Sequence, residues 1–217
     1  PLALTLFGRK DSINVQKVMW LLRELGADYT LVEKGGEFGG LDDDEFKDMN
    51  VFGRVPVLQD GDFKLAESNA ILRYLVQSQP GGDAFYPADL ETRARIDSWM
   101  DFGSTTLYPE FMKTFSQVVR TQPRDRKPGL IAMSARRFQM ETLKIGNALD
   151  GKDWLFGENF TLADIATGVY MYRFYSMPVI KRVGQGRVER WVTRLQERPA
   201  YDEIVATRYA HMFAKGS

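Results

Sequence analysis

The sequence predicts a small mixed α/β domain followed by an all-helical domain. Strand and helix periodicities alternate over the first 80 residues, a Pro- and Gly-rich stretch follows, and strand patterns then stop. We therefore expect domains at residues 1–79 and 91–217, joined by a linker at 80–90. A chain of 217 residues is long enough to form these two cores.

The first domain is predicted to open with a strand–helix–strand unit. The apolar run at 2–7 predicts a strand, and residues 29–33 predict another. Gly26 is placed where a helix C-terminus favours glycine. The helix between the strands has apolar residues at spacings of 3 and 4, namely Val15, Val18, Met19, Leu22 and Leu25. Because a crossover of this length joins parallel strands, we expect the two strands to be parallel.

Two short strands and a second helix are predicted to complete this domain. Strands at 55–59 and 63–65 are joined at Asp60-Gly61, a strong signal for a tight hairpin. Residues 66–79 follow as a helix, with the apolar stripe Ala70, Ile71, Tyr74 and Leu75. The predicted order is βαβ-ββα, interrupted by an irregular glycine-rich loop at 35–40.

Only helices are predicted after the linker. Pro123 and Pro128 indicate a turn, and Pro199 is expected to close the last helix. The predicted helices span residues 92–120, 125–149, 162–176 and 187–197.

The composition excludes several classes of function. The chain has no cysteine, so it lacks disulfides and a thiolate nucleophile. Its one histidine, His211, argues against a Ser-His-Asp triad, and we expect no metal site. Its 29 basic and 29 acidic residues cancel, which argues against a nucleic-acid partner. Neither a signal peptide nor an apolar run of membrane-spanning length is visible, and we expect a cytoplasmic protein with no membrane partner.

The segment GRVPVLQDG contains a proline at the start of an apolar strand. Because proline has no N–H for the ladder, Pro56 belongs at a sheet edge or a strand start. One interpretation is simply an edge strand. The other is a site where the Val55 backbone pairs with an extended peptide, presented by a cis Val55-Pro56 bond.

Two helix beginnings have polar residues with alternative roles. Glu67-Ser68 either caps a helix or holds an α-amino acid, with Glu67 on the ammonium and Ser68 on the carboxylate. Ser12 either caps the first helix or donates its hydroxyl to a thiolate at the positive helix end, with Asn14 as a second donor. No histidine is near enough in sequence to make Ser12 a nucleophile of the hydrolase type.

The segment FTLADIA predicts a helix start. Thr161 and Asp164 form a capping-box pattern, and Phe160 and Ile165 fit a hydrophobic staple. This is a folding element and not a catalytic one.

Three segments together resemble the cytosolic glutathione transferases: SINVQKVMWLLRELGADY, NVFGRVPVLQDGDFKLAESNAILRYL and FTLADIA. The resemblance covers essentially the whole chain and is nearest to the bacterial serine/asparagine type, related to the theta and nu groups. It implies a thioredoxin-like first domain and a helical second domain.

The resemblance also implies roles for individual residues. Val55 with Pro56 would pair with the cysteinyl part of glutathione, and Glu67 and Ser68 would hold its γ-glutamyl end. Arg54, with Phe38 or loop backbone, would contact the glycyl end, and Ser12 and Asn14 would face the sulfur.

Two departures of the chain from the family pattern bear on the chemistry of the sulfur. Phe7 lies in the region where many members use a tyrosine, so a tyrosine hydroxyl is not available there. Because Ser12 replaces the cysteine of other members, a mixed disulfide with glutathione cannot form.

The resemblance implies a detoxification enzyme that conjugates glutathione, its cosubstrate, to small apolar electrophiles. Alternatives are glutathione-dependent isomerisation, dehalogenation or peroxide reduction, and a non-catalytic binder. The acceptor is expected between the domains. Its walls would be Arg9, Trp99, Phe102, Phe111 and Tyr172, each of which has ordinary packing as the alternative. The family also implies a homodimer, in which Phe52 is either an inter-subunit contact or an ordinary core residue.

Overall fold

The computed structural model describes residues 4–181, 184 and 186–214. The chain divides into two compact units, Pro1–Ala88 and Asp89–Ser217. This division falls inside the stretch at 80–90 where the sequence predicts a linker.

The first unit is a mixed sheet with helices. Its main elements are β1 (Leu4–Gly8), α1 (Ile13–Leu25), β2 (Tyr29–Glu33), α2 (Asp44–Met49), β3 (Val57–Asp60), β4 (Phe63–Ala66) and α3 (Ser68–Ser78). Short 3₁₀ turns lie at Gly36–Phe38 and Gly82–Ala84. The predicted βαβ-ββα order is confirmed.

The four strands lie in the order β2-β1-β3-β4. The β1–β2 pair is parallel, as predicted, whereas β3 is antiparallel to both β1 and β4. Helices α1 and α3 pack against each other, and Gly26 ends α1 in the left-handed conformation with φ 64°. The core of this unit consists mainly of Leu4, Leu6, Val15, Val18, Trp20, Leu21, Leu22, Val57, Leu58, Ile71, Leu72 and Leu75.

Some predictions for this unit were wrong in detail. β3 lies between β1 and β4, so the edge-strand interpretation of Pro56 fails, and the proline directly precedes the strand. The hairpin turn is Gly61-Asp62, because Asp60 and Phe63 still pair. Residues 2 and 3 of the predicted first strand lie outside the described residues.

The second unit is helical. Its main elements are α4 (Leu90–Phe102), α5 (Tyr108–Phe115), α6 (Pro128–Leu149), α7 (Leu162–Gly168), α8 (Met171–Tyr175), α9 (Gly186–Gln196) and α10 (Pro199–Ile204). An aromatic cluster forms much of its core: Phe111 stacks on Phe115 at 5.4 Å and Phe138 stacks on Phe174 at 4.0 Å between ring centroids.

Three helix predictions in this unit need correction. The single helix predicted at 92–120 contains two π turns, Gly103–Leu107 and Ser116–Arg120, on either side of α5. The helix predicted at 162–176 is two helices, α7 and α8. Pro199 does not close a helix: it is the first residue of α10, where its fixed φ and missing N–H are tolerated.

The predicted capping box at Thr161 is confirmed. The Thr161 hydroxyl accepts from the Ala163 N–H, and Asp164 Oδ2 accepts from the Thr161 N–H at 3.1 Å. The other oxygen, Oδ1, accepts from the Leu155 N–H and from Trp191 Nε1 on α9. One buried carboxylate therefore joins three segments of the unit.

Within the part of the chain that the structure describes, no helix has both the length and the apolar character needed to cross a membrane.

Candidate functional site

The sheet register brings several of the predicted site residues to one end of the sheet, at the level where β1, β2 and β4 end and β3 begins. Phe7, near the end of β1, pairs with Val57, the first residue of β3, and Val57 pairs with Ala66, the last residue of β4. The segments next to these three residues contain Ser12, Val55 with Pro56, and Glu67 with Ser68. β2 finishes at the same end of the sheet, because Gly8 pairs with Glu33, and the glycine-rich loop follows it. The topology therefore gathers the residues that the sequence predicted from separate segments.

Ser12 is the N-cap residue of α1, but its side chain does not cap the helix. Its N–H donates to the Arg9 carbonyl at 3.0 Å, and its carbonyl accepts from the Gln16 N–H at 2.8 Å. The side chain makes no capping hydrogen bond. The half-buried Ser12 hydroxyl is therefore available at the positive end of α1, where the half-buried Asn14 forms part of the first turn.

Val55 presents its backbone beside the sheet. The Val55-Pro56 peptide bond is cis. Within the described residues, the Val55 N–H and C=O take part in no backbone hydrogen bond, whereas the ladder begins at Val57. The preceding loop is held by the buried Asn50, whose amide donates to the Arg54 carbonyl at 2.6 Å and accepts from the Phe52 N–H at 2.9 Å. This arrangement leaves the Val55 peptide groups available to an extended ligand.

The turn from β4 into α3 differs from the predicted serine cap. Glu67 is the N-cap residue, with φ 70° and ψ 114°, and Ser68 is the first helical residue. β4 continues to Ala66, so Glu67 alone makes the reversal into the helix. A non-glycine residue in this conformation costs on the order of 1–3 kcal/mol, and such residues cluster at functional sites. The exposed Glu67 carboxylate and the buried Ser68 hydroxyl both lie at the N-terminus of α3.

The residues predicted for the glycyl end lie on two loops. Phe38 is 44% exposed in the 3₁₀ turn Gly36–Phe38, and Arg54 is exposed. Lys34 pairs with Asp43 at 3.1 Å and packs close to Gly40.

The predicted acceptor residues differ in their surroundings. Arg9 pairs with Asp11 and packs on the backbone of Gly36 in the first unit. In the second unit, the half-buried rings of Trp99 and Phe102 meet edge to face at 5.5 Å.

Two further predicted acceptor residues lie in the second unit. Tyr172 is half-buried, and its N–H donates to the Tyr201 hydroxyl at 3.2 Å. Phe111 is 1% exposed within the aromatic core, so the alternative of ordinary packing fits Phe111 better than a role in a pocket wall.

Lys17 is a residue near this site that our sequence reasoning missed. Its side chain on α1 is 1% exposed, and its Nζ donates to Asn69 Oδ1 on α3 at 3.1 Å. Burial lowers the pKa of Lys17 to about 7, although the nearby Glu67 carboxylate acts in the opposite direction. The sequence did contain a sign of this burial: Lys17 directly precedes the apolar run 18–22, which predicts a helix that is buried on all sides.

No group of three or more His, Asp or Glu side chains within residues 4–181, 184 and 186–214 is arranged to hold a metal ion.

Comparisons with known proteins agree with this geometry. Residues 2–77 match the family model described as glutathione S-transferase, N-terminal domain, and residues 108–199 match the C-terminal domain model of the same family. The chain is 33% identical over 204 residues to glutathione S-transferase GstB of Escherichia coli, covering 93% of this chain and 97% of that protein.

Solved structures give the same result. A theta class glutathione S-transferase from Xanthomonas axonopodis pv. citri with glutathione bound is similar with a TM-score of 0.89 and 38% identity, over 96% of this chain and 99% of the other. The glutathione transferase BmGSTD1 of Bombyx mori is similar with a TM-score of 0.84 and 26% identity, over 94% and 93% of the two chains.

Proposed function

Because the chain belongs to the glutathione S-transferase family, we propose that it conjugates the sulfur of glutathione to small apolar electrophiles. Glutathione is the cosubstrate and the source of the reactive sulfur, since the chain has no cysteine. A solved relative with glutathione bound and a similarity over nearly the full chain support this proposal.

This end of the sheet offers complementary groups for the first two residues of glutathione. The Val55 N–H and C=O pair with the backbone of the cysteinyl residue, in the manner of an added strand. Glu67 accepts from the α-ammonium of the γ-glutamyl residue. Ser68 and the main-chain N–H groups at the start of α3 bind its α-carboxylate, which the helix dipole also favours.

The glycyl carboxylate is assigned to Arg54. The exposed Arg54 guanidinium can form a charge-assisted hydrogen bond with a carboxylate, and the exposed ring of Phe38 covers this end of the ligand.

Ser12 and Asn14 act on the sulfur. A free thiol titrates near a pH of about 8.5, and donors at a helix N-terminus stabilise its anion and lower that value. The thiol proton leaves to solvent, and the thiolate attacks an electrophilic carbon of the acceptor. With a halide, a carbon–sulfur bond forms, the bond to the leaving group breaks, and the leaving group departs with the electron pair. With an activated alkene, the thiolate adds to the double bond, and the resulting carbanion takes a proton from solvent. Each unit by which the thiol pKa falls corresponds to about 1.4 kcal/mol of anion stabilisation.

The observation that carries this mechanism is the Ser12 hydroxyl, which lies at a helix N-terminus without capping it. Ser12→Ala is expected to raise the pKa of bound glutathione toward about 8.5 and to lower kcat/KM at neutral pH by about ten-fold or more. Thiolate absorbance of the binary complex and the pH profile of kcat/KM measure the two effects. Asn14→Ala should have a smaller effect of the same sign.

The control is Ser78→Ala, which changes a serine in the last turn of α3, at the opposite end of the helix from Ser68. It should leave both measurements unchanged. If the Ser12→Ala, Asn14→Ala double variant retains wild-type conjugation and thiolate absorbance, the proposed mechanism is wrong.

A panel of electrophiles tests the acceptor class. Conjugation of aryl halides and activated alkenes is expected. If the protein turns over only hydroperoxides or isomerisable substrates, its activity is glutathione-dependent peroxide reduction or isomerisation instead.

The proposed acceptor contacts are Trp99, Phe102, Tyr172 and Arg9. Substitution of Trp99 or Tyr172 by Ala should change the preference among acceptors while leaving the KM for glutathione unchanged.

We also propose a cytoplasmic homodimer. Phe52 is 60% exposed next to the loop held by Asn50, so a large apolar ring is available for a second copy of the chain. Sedimentation at micromolar concentration should show a dimer, and Phe52→Ser should shift it toward monomer. A wild-type chain that sediments as a monomer contradicts this assignment.

A further inference from the structure

The buried lysine of α1 has no role in the mechanism above, and its burial is costly. An ammonium has three N–H donors, and the hydrogen-bond partner that the structure gives Lys17 is a neutral amide, Asn69 Oδ1. A charged group held in the interior on so few contacts is unfavourable compared with an apolar side chain of similar size. Folding alone therefore gives no reason for a lysine at this position.

The position of Lys17 relative to the first turn of α3 suggests a reason. The hydrogen bond from Nζ to Asn69 crosses from α1, which begins after Ser12, to α3, in which Asn69 is the second residue. Glu67 lies two residues before Asn69, and its carboxylate interacts electrostatically with the ammonium. The cation thus lies in the interior of the unit, whereas the carboxylate that it attracts is exposed to solvent.

Glu67 needs such support. Its backbone holds φ 70° without a side-chain capping bond, and a residue in that conformation persists only when its surroundings fix it. A carboxylate has two oxygens, so attraction from Lys17 on the inner side leaves acceptor capacity on the outer side.

We propose that Lys17 is a positioning residue for the γ-glutamyl end of glutathione: through Asn69 it anchors the first turn of α3, and through its charge it orients the Glu67 carboxylate toward the ligand ammonium. This inference rests on the proposed function. Lys17 touches neither the ligand nor the reacting sulfur in this role.

The test compares Lys17→Met, which removes both charge and hydrogen bond, with Lys17→Gln, which keeps a donor for Asn69 but removes the charge. Lys64→Met, at an exposed lysine on β4, is the matched control. Each protein is assayed at about pH 6, below the pKa of Lys17, with glutathione and with glutaryl-Cys-Gly, an analogue that lacks only the α-ammonium.

Lys17→Met is expected to raise the KM for glutathione on the order of ten-fold, the effect of losing an interaction with a charged group, while kcat at saturating glutathione is retained. The KM for glutaryl-Cys-Gly should rise less, because that ligand has no group for Glu67 and depends only on the anchoring of the first turn of α3 through Asn69. Lys17→Gln should fall between Lys17→Met and wild type. The thermal midpoint of Lys17→Met at neutral pH should equal or exceed that of wild type.

A purely structural lysine predicts the reverse: a lower thermal midpoint, and equal losses for both ligands. Either result, or an unchanged KM for glutathione in Lys17→Met, overturns the inference. If Lys17→Met does not fold, the same comparison of ligands in Lys17→Gln decides. A wild-type chain that does not bind glutathione overturns the proposed function and this inference with it, whereas normal wild-type binding with no effect of Lys17 overturns this inference alone.

Discussion

Removing the buried carboxylate of Asp164 should destabilise the helical unit strongly. Asp164→Ala leaves three buried N–H donors without their acceptor: the Leu155 and Thr161 amides and the Trp191 indole. Bonds to a charged acceptor contribute about 1.5–3 kcal/mol each, which gives a loss of about 5–9 kcal/mol. Burial raises the pKa of Asp164 to about 6 even though these hydrogen bonds lower it, so desolvation of the carboxylate offsets part of this loss. The expected net loss is therefore below the sum of the three bonds, on the order of 2–6 kcal/mol.

Urea unfolding followed by far-ultraviolet circular dichroism measures this loss. Asp89→Ala is the matched control, because Asp89 also accepts from a main-chain N–H at a helix start, that of Thr92 at 2.9 Å, but in full contact with water. Water replaces the lost acceptor there, so the loss should be clearly smaller. Asp164→Asn keeps one acceptor oxygen and should lie between Asp164→Ala and wild type. If Asp164→Ala lowers the free energy of unfolding no more than Asp89→Ala does, the reasoning that burial makes the Asp164 hydrogen bonds costly to lose is refuted.

Two further perturbations test the packing and the titration of the chain. The pKa of Lys17 falls from about 10.5 in the unfolded chain to about 7 in the folded one. Between these values the unfolded chain holds one proton more than the folded chain. The free energy of unfolding should therefore rise with pH in this range, by up to about 1.4 kcal/mol per pH unit. Urea unfolding at pH 7 and pH 9 should show this rise in wild type and its loss in Lys17→Met; equal slopes would contradict the burial of a titrating lysine. Gly103→Ala should destabilise by about 1–3 kcal/mol, since the added Cβ would lie 2.7 Å from the Ala166 carbonyl oxygen. Gly129→Ala, where a Cβ meets nothing within 4 Å, should be neutral or stabilising by up to about 1 kcal/mol. Thermal unfolding of both glycine variants measures the two effects.

Local sequence signals predicted most of the fold because its elements bury regular stripes. Val15, Val18 and Leu22 are fully buried at helical spacing, and Gly26 ends α1 as expected. α2 was missed because it buries a single residue, Phe46, within an acidic segment, so no periodicity marks it. Nor does the sequence show the π turns, since a run of helix-compatible residues looks the same with one more residue per turn.

The candidate site was predictable where function depends on short spacings along the chain. Val55-Pro56 and Glu67-Ser68 each lie at a strand end, so their motifs could be found without the structure. Lys17 was not predictable in this way, because its partner, Asn69, is 52 residues away and meets it only when α1 packs on α3. The cap residue of α3 was also misassigned, because the length of β4 decides that Glu67, and not Ser68, makes the turn.

The π turns at Gly103–Leu107 and Ser116–Arg120 determine where the helical segment at 90–120 can gain or lose one residue. A π turn closes its hydrogen bond over one residue more than an α turn, so each segment contains one surplus residue. Because the surplus residue is accommodated within the π turn, a single deletion there would restore an α turn and leave the residues on either side on nearly the same faces of the helix. The same deletion inside α6 would instead shift a regular helix out of register with its neighbours. Insertions and deletions of one residue among homologous chains are therefore expected at 103–107 and 116–120, and rarely within 128–149.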